Sequence, residues 1–140
     1  MKIANGDVGS INIAAALPHV PALNSERSWS AAFDEMSTLA QGWDGYEAMP
    51  PTLQAISNAE TIVAVLSEHG LPATRVAPSV IGGVGVTRRI AASKVYIEMR
   101  NDGRTYSLFT DGENPVVVPV ELSDEGLNAL IASIRSHFNG

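Results

Sequence analysis

Apolar positions change their spacing twice along this chain, and each change marks a new kind of element. After Ser25, residues Trp29, Phe33, Met36, Ala40 and Trp43 recur every three or four positions, which is one apolar face of a helix. Ser25 suits its N-cap, Glu26 its first turn and Gly42 its end. A second helix follows, with Thr52 as its cap and Ile56, Ala59, Ile62, Val63 and Leu66 as its buried stripe. Gly70 and Pro72 in "HGLP" close it, the first by taking a left-handed cap and the second by refusing to continue.

From Ala73 the period becomes two. "TRVAP", "GVGVTR", "SKVYIEMR" and "RTYSLFT" read as four strands, and "VVVPV" as a short fifth one bracketed by Pro115 and Pro119, where an edge is expected. Asp102-Gly103 predicts a two-residue hairpin turn between the third and fourth strands. That loop sets Met99 opposite Tyr106 and Ile97 opposite Leu108 on a core face shared with Val95. On the other face it sets Glu98 opposite Ser107 and Tyr96 opposite Phe109. The period then returns to that of a helix: Ser123 caps it, Asp124 and Glu125 sit at its positive end, and Arg135 and His137 sit near its negative end. Leu127, Leu130, Ile131, Ile134 and Phe138 form its stripe.

These patterns predict an α+β fold: an antiparallel sheet of four to five strands with two N-terminal helices and one C-terminal helix on one face. The chain of 140 residues reads as a single domain. Residues 1–24 form an extended lead-in with a strand over Val8–Ala14, 25–72 a helical hairpin, 73–122 the sheet and 123–140 the last helix.

Composition narrows the function. There is no cysteine, so neither a disulfide nor a thiolate metal site is available. The first residues lack a signal-peptide pattern, and charges or prolines break each apolar run before membrane-spanning length. A soluble, cytoplasmic protein is expected, without membrane association. The net charge of −6 argues against a nucleic-acid partner unless the few basic side chains share one face. Arg88, Arg89, Lys94, Arg100 and Arg104 do concentrate in the sheet segment.

Candidate chemistry is sparse. "IGGVGV" is glycine-rich but leads into a strand rather than a helix, so it reads as a bulge or close backbone contact, not a phosphate loop. His19, His69 and His137 have no metal-ligand spacing, and no metal or cofactor is expected. Trp43-Asp44-Gly45-Tyr46 is the richest stretch. As a structural corner, Asp44 accepts main-chain N–H bonds, Gly45 supplies a positive φ and Tyr46 packs over the junction. As a reaction centre, Asp44 and Glu47 would work beside Tyr46 in a small hydrolase or ligand-binding enzyme. Adjacent carboxylates on a tight turn rarely reach the separated environments that acid–base work needs, which favours the corner.

"LAQGWDGYEAMPPTLQAISNAETIVAVL" resembles small uncharacterised bacterial and phage proteins with a W-D-G-Y-G-A-x-P core before an A-I-x-x-A helix. "VAPSVIGGVGV" and "VYIEMRNDGRTYSLFTDG" are similar to that group's glycine-rich strand and closing hairpin. Three positions depart from the pattern: Glu47 replaces a glycine, Ile81 an aspartate and Arg88 an aromatic residue. The resemblance implies no activity, but it implies bacterial genomes and mobile elements, where small inhibitors are common. The expectation is therefore a non-enzymatic protein-interaction module, in its sharpest form a phage or mobile-element inhibitor of a bacterial defence complex (anti-CRISPR-like). Its partner would dock on Arg88, Tyr96, Arg100 and Phe109, or on a strand edge that self-pairs into a homodimer.

Overall fold

The computed structural model describes residues 29–139. The strand expected at Val8–Ala14 and the caps expected at Ser25 and Glu26 lie outside the described residues.

The fold is α+β: a five-stranded antiparallel sheet with three helices, two N-terminal and one C-terminal. In chain order the elements are α1 (Ser30–Met36), α2 (Leu53–Glu68), β1 (Arg75–Ser79), β2 (Gly83–Ile90), β3 (Ser93–Arg100), β4 (Thr105–Thr110), β5 (Val116–Val120) and α3 (Asp124–Asn139). The strands lie side by side in the order of the sequence, a plain meander.

The helix α1 stops sooner than its apolar period suggests. Ser37 and Thr38 turn their hydroxyls back to the carbonyls of Asp34 and Glu35, at 2.6 and 2.7 Å, and the chain leaves the helix there. Ala40 and Trp43 thus belong to the turn that follows, while Phe33 and Met36 are buried as the stripe requires. The helix α2 begins where expected, with Thr52 Oγ1 accepting from the Ala55 N–H at 3.1 Å. It ends in a Schellman motif: Leu71 N–H donates to Leu66 O, Gly70 N–H donates to Ser67 O, and Gly70 takes φ +74°. Ser123 Oγ caps α3 by accepting from the Gly126 N–H at 3.1 Å.

Ala55, Ile56, Ala59, Ile62 and Leu66 of α2 meet Val84 and Val86 of β2 and Val95, Ile97 and Met99 of β3, with Leu130, Ile131 and Ile134 of α3 completing the core. Each fully buried aliphatic chain contributes about 1.5–3 kcal/mol relative to an exposed one.

The β3–β4 hairpin differs from the sequence expectation by one residue. Its loop holds three residues, Asn101, Asp102 and Gly103, with Gly103 at φ +93° and its N–H donating to Arg100 O. The register is therefore Met99↔Thr105, Ile97↔Ser107, Val95↔Phe109, Glu98↔Tyr106 and Tyr96↔Leu108. A slip of one residue turns every side chain of β4 to the other face. Thr105, Ser107 and Phe109 point toward the helices; Tyr106 and Leu108 point away.

The β1–β2 loop is built the same way, on Val80, Ile81 and Gly82, with Gly82 at φ +96°. The β2–β3 turn has two residues, and its Ala91 is held at φ 55°, where an L side chain is strained. Ala91→Gly should stabilise the chain by roughly 0.5–1 kcal/mol, read as a higher urea midpoint at constant slope.

Both sheet edges are guarded. Arg100 N–H donates to Arg104 O at 2.8 Å, which fixes the alternation of bonded pairs across the sheet. By that alternation Pro119 in β5 and Pro78 in β1 both face outward, so each edge lacks a main-chain donor on its free side.

Candidate sheet-face and corner sites

The helices cover one face of the sheet, and no described element covers the other. That bare face carries Arg75 and Ser79 from β1, Gly83, Gly85, Thr87 and Arg89 from β2, and Lys94, Tyr96, Glu98 and Arg100 from β3. Tyr106, Leu108 and Val117 continue it across β4 and β5.

Its centre is a bonded cluster. The Tyr96 ring lies flat over Gly85, where a Cβ would come within 2.6 Å of Tyr96 Cε1. The Tyr96 hydroxyl shares hydrogen bonds with Ser79 and Glu98, and burial followed by the Glu98 charge pushes its pKa up. Ser79 Oγ also donates to Glu98 Oε2 at 3.2 Å. Glu98 has a side chain only 12% exposed, and Arg100 Nε sits 3.7 Å from its Oε2. The Arg100 guanidinium stacks 4.8 Å above the Tyr106 ring.

At the loop end, Asp102 and Arg104 pair at 2.8 Å. The Arg104 main-chain N–H, then its side chain, hold the Asp102 carboxyl below its ordinary pKa, and Asp102 raises Arg104 in return.

The four residues expected to form one docking surface are split between two faces. Tyr96 and Arg100 are on the bare face. Arg88 and Phe109 are on the helix side, each paired with Val95 from a different flank of β3. Arg88 Nη1 donates to Pro72 O at 2.8 Å, and its guanidinium lies 5.5 Å from the Phe138 ring centre. Burial lowers its pKa. Phe109 meets His137 edge to face at 5.5 Å, while His137 Nε2 bonds Thr110 O. Arg88 and Phe109 therefore seat the end of α3. The bare face instead gains Tyr106 and Leu108, which a two-residue loop would place in the core. The signal that finds them is the three-residue Asn-Asp-Gly loop with glycine last, in place of the two-residue one.

In the corner, Asp44 Oδ1 accepts from Tyr46 N at 2.9 Å and from Ala48 N at 3.2 Å. Gly42 and Gly45 take φ +82° and +88°. Trp43 Nε1 donates to Met49 O at 3.0 Å, and Gly42 N–H donates to Ala48 O, so the loop closes on itself. Tyr46 does not pack over the junction as expected; it is 84% exposed. Its neighbours Gly45 and Glu47 are exposed as well.

Asn101 ties this corner to the sheet. Its Oδ1 accepts from Thr52 N at 2.8 Å, and its Nδ2 donates to Pro50 O at 3.0 Å. Its main-chain N–H donates to Gly82 O. Exposed Met49, Leu53, Val80 and Ile81 thereby gather at one end of the molecule.

Among the described residues, no group of three or more His, Asp or Glu side chains could hold a metal ion. No helix there is long and apolar enough to cross a membrane. An open trough of about 430 Å³ lies between Gly103–Tyr106 and Pro119–Leu122. No family model, curated protein or solved structure matches the chain.

Proposed function

We propose that the chain is a non-enzymatic protein-interaction module that docks its partner on the bare face of the sheet. The observation that carries this reading is the one-sided architecture: helices fill one face, and the other presents Tyr96, Arg100, Tyr106 and Leu108 half-exposed on a rigid platform. Aromatic and arginine side chains on a preorganised surface are the usual anchors of protein interfaces. The outward prolines at both edges favour the face over strand addition, and so over a homodimer built edge to edge. A phage or mobile-element inhibitor of a bacterial defence complex is one module of this class, met by its partner in the cytoplasm. The small size and acidity of the chain suit it.

The test is partner capture from the native host with the full chain as bait. Tyr106→Ala with Leu108→Ser should reduce the captured partner at least about tenfold while the melting temperature stays near that of the parent. Glu60→Lys, on the exposed side of α2, should leave capture intact. Undiminished capture by the Tyr106/Leu108 variant removes the face from the function.

A further inference from the structure

Charge is sorted between the two layers of this molecule. The helices carry Asp34, Glu35, Glu60, Glu68, Asp124 and Glu125 against a single arginine, Arg135. On the bare face β1, β2 and β3 carry Arg75, Arg89, Lys94 and Arg100 against Glu98, and the Asp102–Arg104 pair at its rim is charge-balanced. Glu98 is moreover tucked away, with Ser79, Tyr96 and Arg100 around its carboxylate. An acidic chain of net charge −6 thus shows a cationic surface on one side. Helices pack roughly 10 Å from a sheet, so their outward carboxylates lie more than one Debye length, about 8 Å at physiological salt, from a ligand on the far face. The local sign therefore governs what docks there.

We infer that the occupant of the bare face is an acidic segment of a partner protein, an inference that rests on the docking role proposed above. Its carboxylates would meet the four cationic side chains. Arg100 offers only part of its side chain to them: it is 40% exposed and stacked over the Tyr106 ring, while its Nε is buried beside Glu98. Arginine and carboxylate match in a planar, two-bond geometry.

Two other occupants fit less well. A second copy set face to face would oppose cations to cations, which disfavours that pairing. A head-to-tail copy would match signs but would have to run on into a ring or an open filament. Single-stranded nucleic acid needs aromatic rings free to stack bases. Here Arg100 covers the Tyr106 ring, and Tyr96 is committed to Gly85, Ser79 and Glu98.

The experiment titrates the full chain into a labelled glutamate-rich peptide, a labelled oligo-dT of equal length and a labelled lysine-rich peptide, each at several salt concentrations. The glutamate-rich peptide should bind best and weaken at least about tenfold as salt rises past the physiological value. Lys94→Glu alone, and Arg89→Glu with Lys94→Glu, should each weaken it by at least about tenfold with the fold retained in melting curves. Tighter binding of oligo-dT would overturn the inference in favour of nucleic acid. Self-association abolished by the same reversals would overturn it in favour of a second copy. Absence of peptide binding would overturn it too. The docking role is judged separately by capture: if Tyr106→Ala with Leu108→Ser abolishes capture and the two charge reversals do not, the face stands and the acidic occupant falls. If neither affects capture, both fall.

Discussion

Asn101→Ala should lower stability by about 2 kcal/mol, or roughly 5–10 °C in melting temperature for a domain of this size. The side chain makes two hydrogen bonds to main-chain groups some fifty residues earlier, Thr52 N–H and Pro50 O. Each such bond contributes about 1 kcal/mol net, and more when its loss strands a partner away from water. Thr52 is also the N-cap of α2, so the loss reaches the start of the helix that supplies most of the core contacts to β2 and β3. Asn101→Asp retains an acceptor for Thr52 but faces Pro50 O with a second acceptor, and should recover less than half of the loss. Hydrogen exchange distinguishes the clamp from general weakening: the Thr52 and Ala55 amides should lose protection before those of β3. A change below about 0.5 kcal/mol would mean that water replaces the clamp without cost.

Residues of the Asn101 kind show why some of this fold was legible in the sequence and some was not. The helices and strands announce themselves through period: α2 and α3 bury most of the stripes that their spacing predicts, with Val63, Leu127 and Phe138 partly buried at the margins, and β3 alternates from Lys94 onward. Period is a local property, and so are the caps at Thr52 and Ser123. The register of β4 is not. Asn101-Asp102-Gly103 satisfies two loop templates, with Asp-Gly as a pair or with glycine third, and the choice between them depends on what β4 must bury. Phe109 is the residue that decides it, because the end of α3 offers His137 and Phe138 as a seat, and Leu108 is left to the open side. Arg88 was misplaced for the same reason. A charged residue in a strand reads as solvent-facing, but Pro72 O and the Phe138 ring receive this one on the helix side. The basic character of the bare face was visible in outline as a cluster of arginines and a lysine, while the face to which each belonged required the register. Asp44 needed less, since an Asx turn is built from neighbours alone.

The largest loss is expected from Gly83→Ala, about 3 kcal/mol or more, from two effects that act together. Gly83 opens β2 at φ +142°, a backbone conformation that L residues rarely adopt. Its α-carbon also lies against the facing strand: an added Cβ would overlap the Met99 carbonyl oxygen and come within 2.9 Å of Arg100 Cα. Neither obstacle is the end of a flexible side chain, so relief requires β2 and β3 to part where the two strands are paired, at Gly83↔Arg100 and Val84↔Met99. Val84 and Met99 are both fully buried, and separating them would open the core beneath α2. Gly103→Ala supplies the control. It has φ +93° but nothing within 4 Å of the added carbon, so it should lose only the conformational term, about 1–2 kcal/mol. The measurement is a pair of urea denaturation curves at equal protein concentration. A Gly83→Ala loss no larger than that of Gly103→Ala would show that the strands yield without cost, and the close approach of β2 to β3 would then not be what reserves this position for glycine. If the loss is larger, as the geometry requires, the same variant also shifts Arg100 on the bare face. It should then weaken partner capture beyond what its lower stability explains, since a guanidinium displaced by an ångström no longer meets a carboxylate in two-bond geometry.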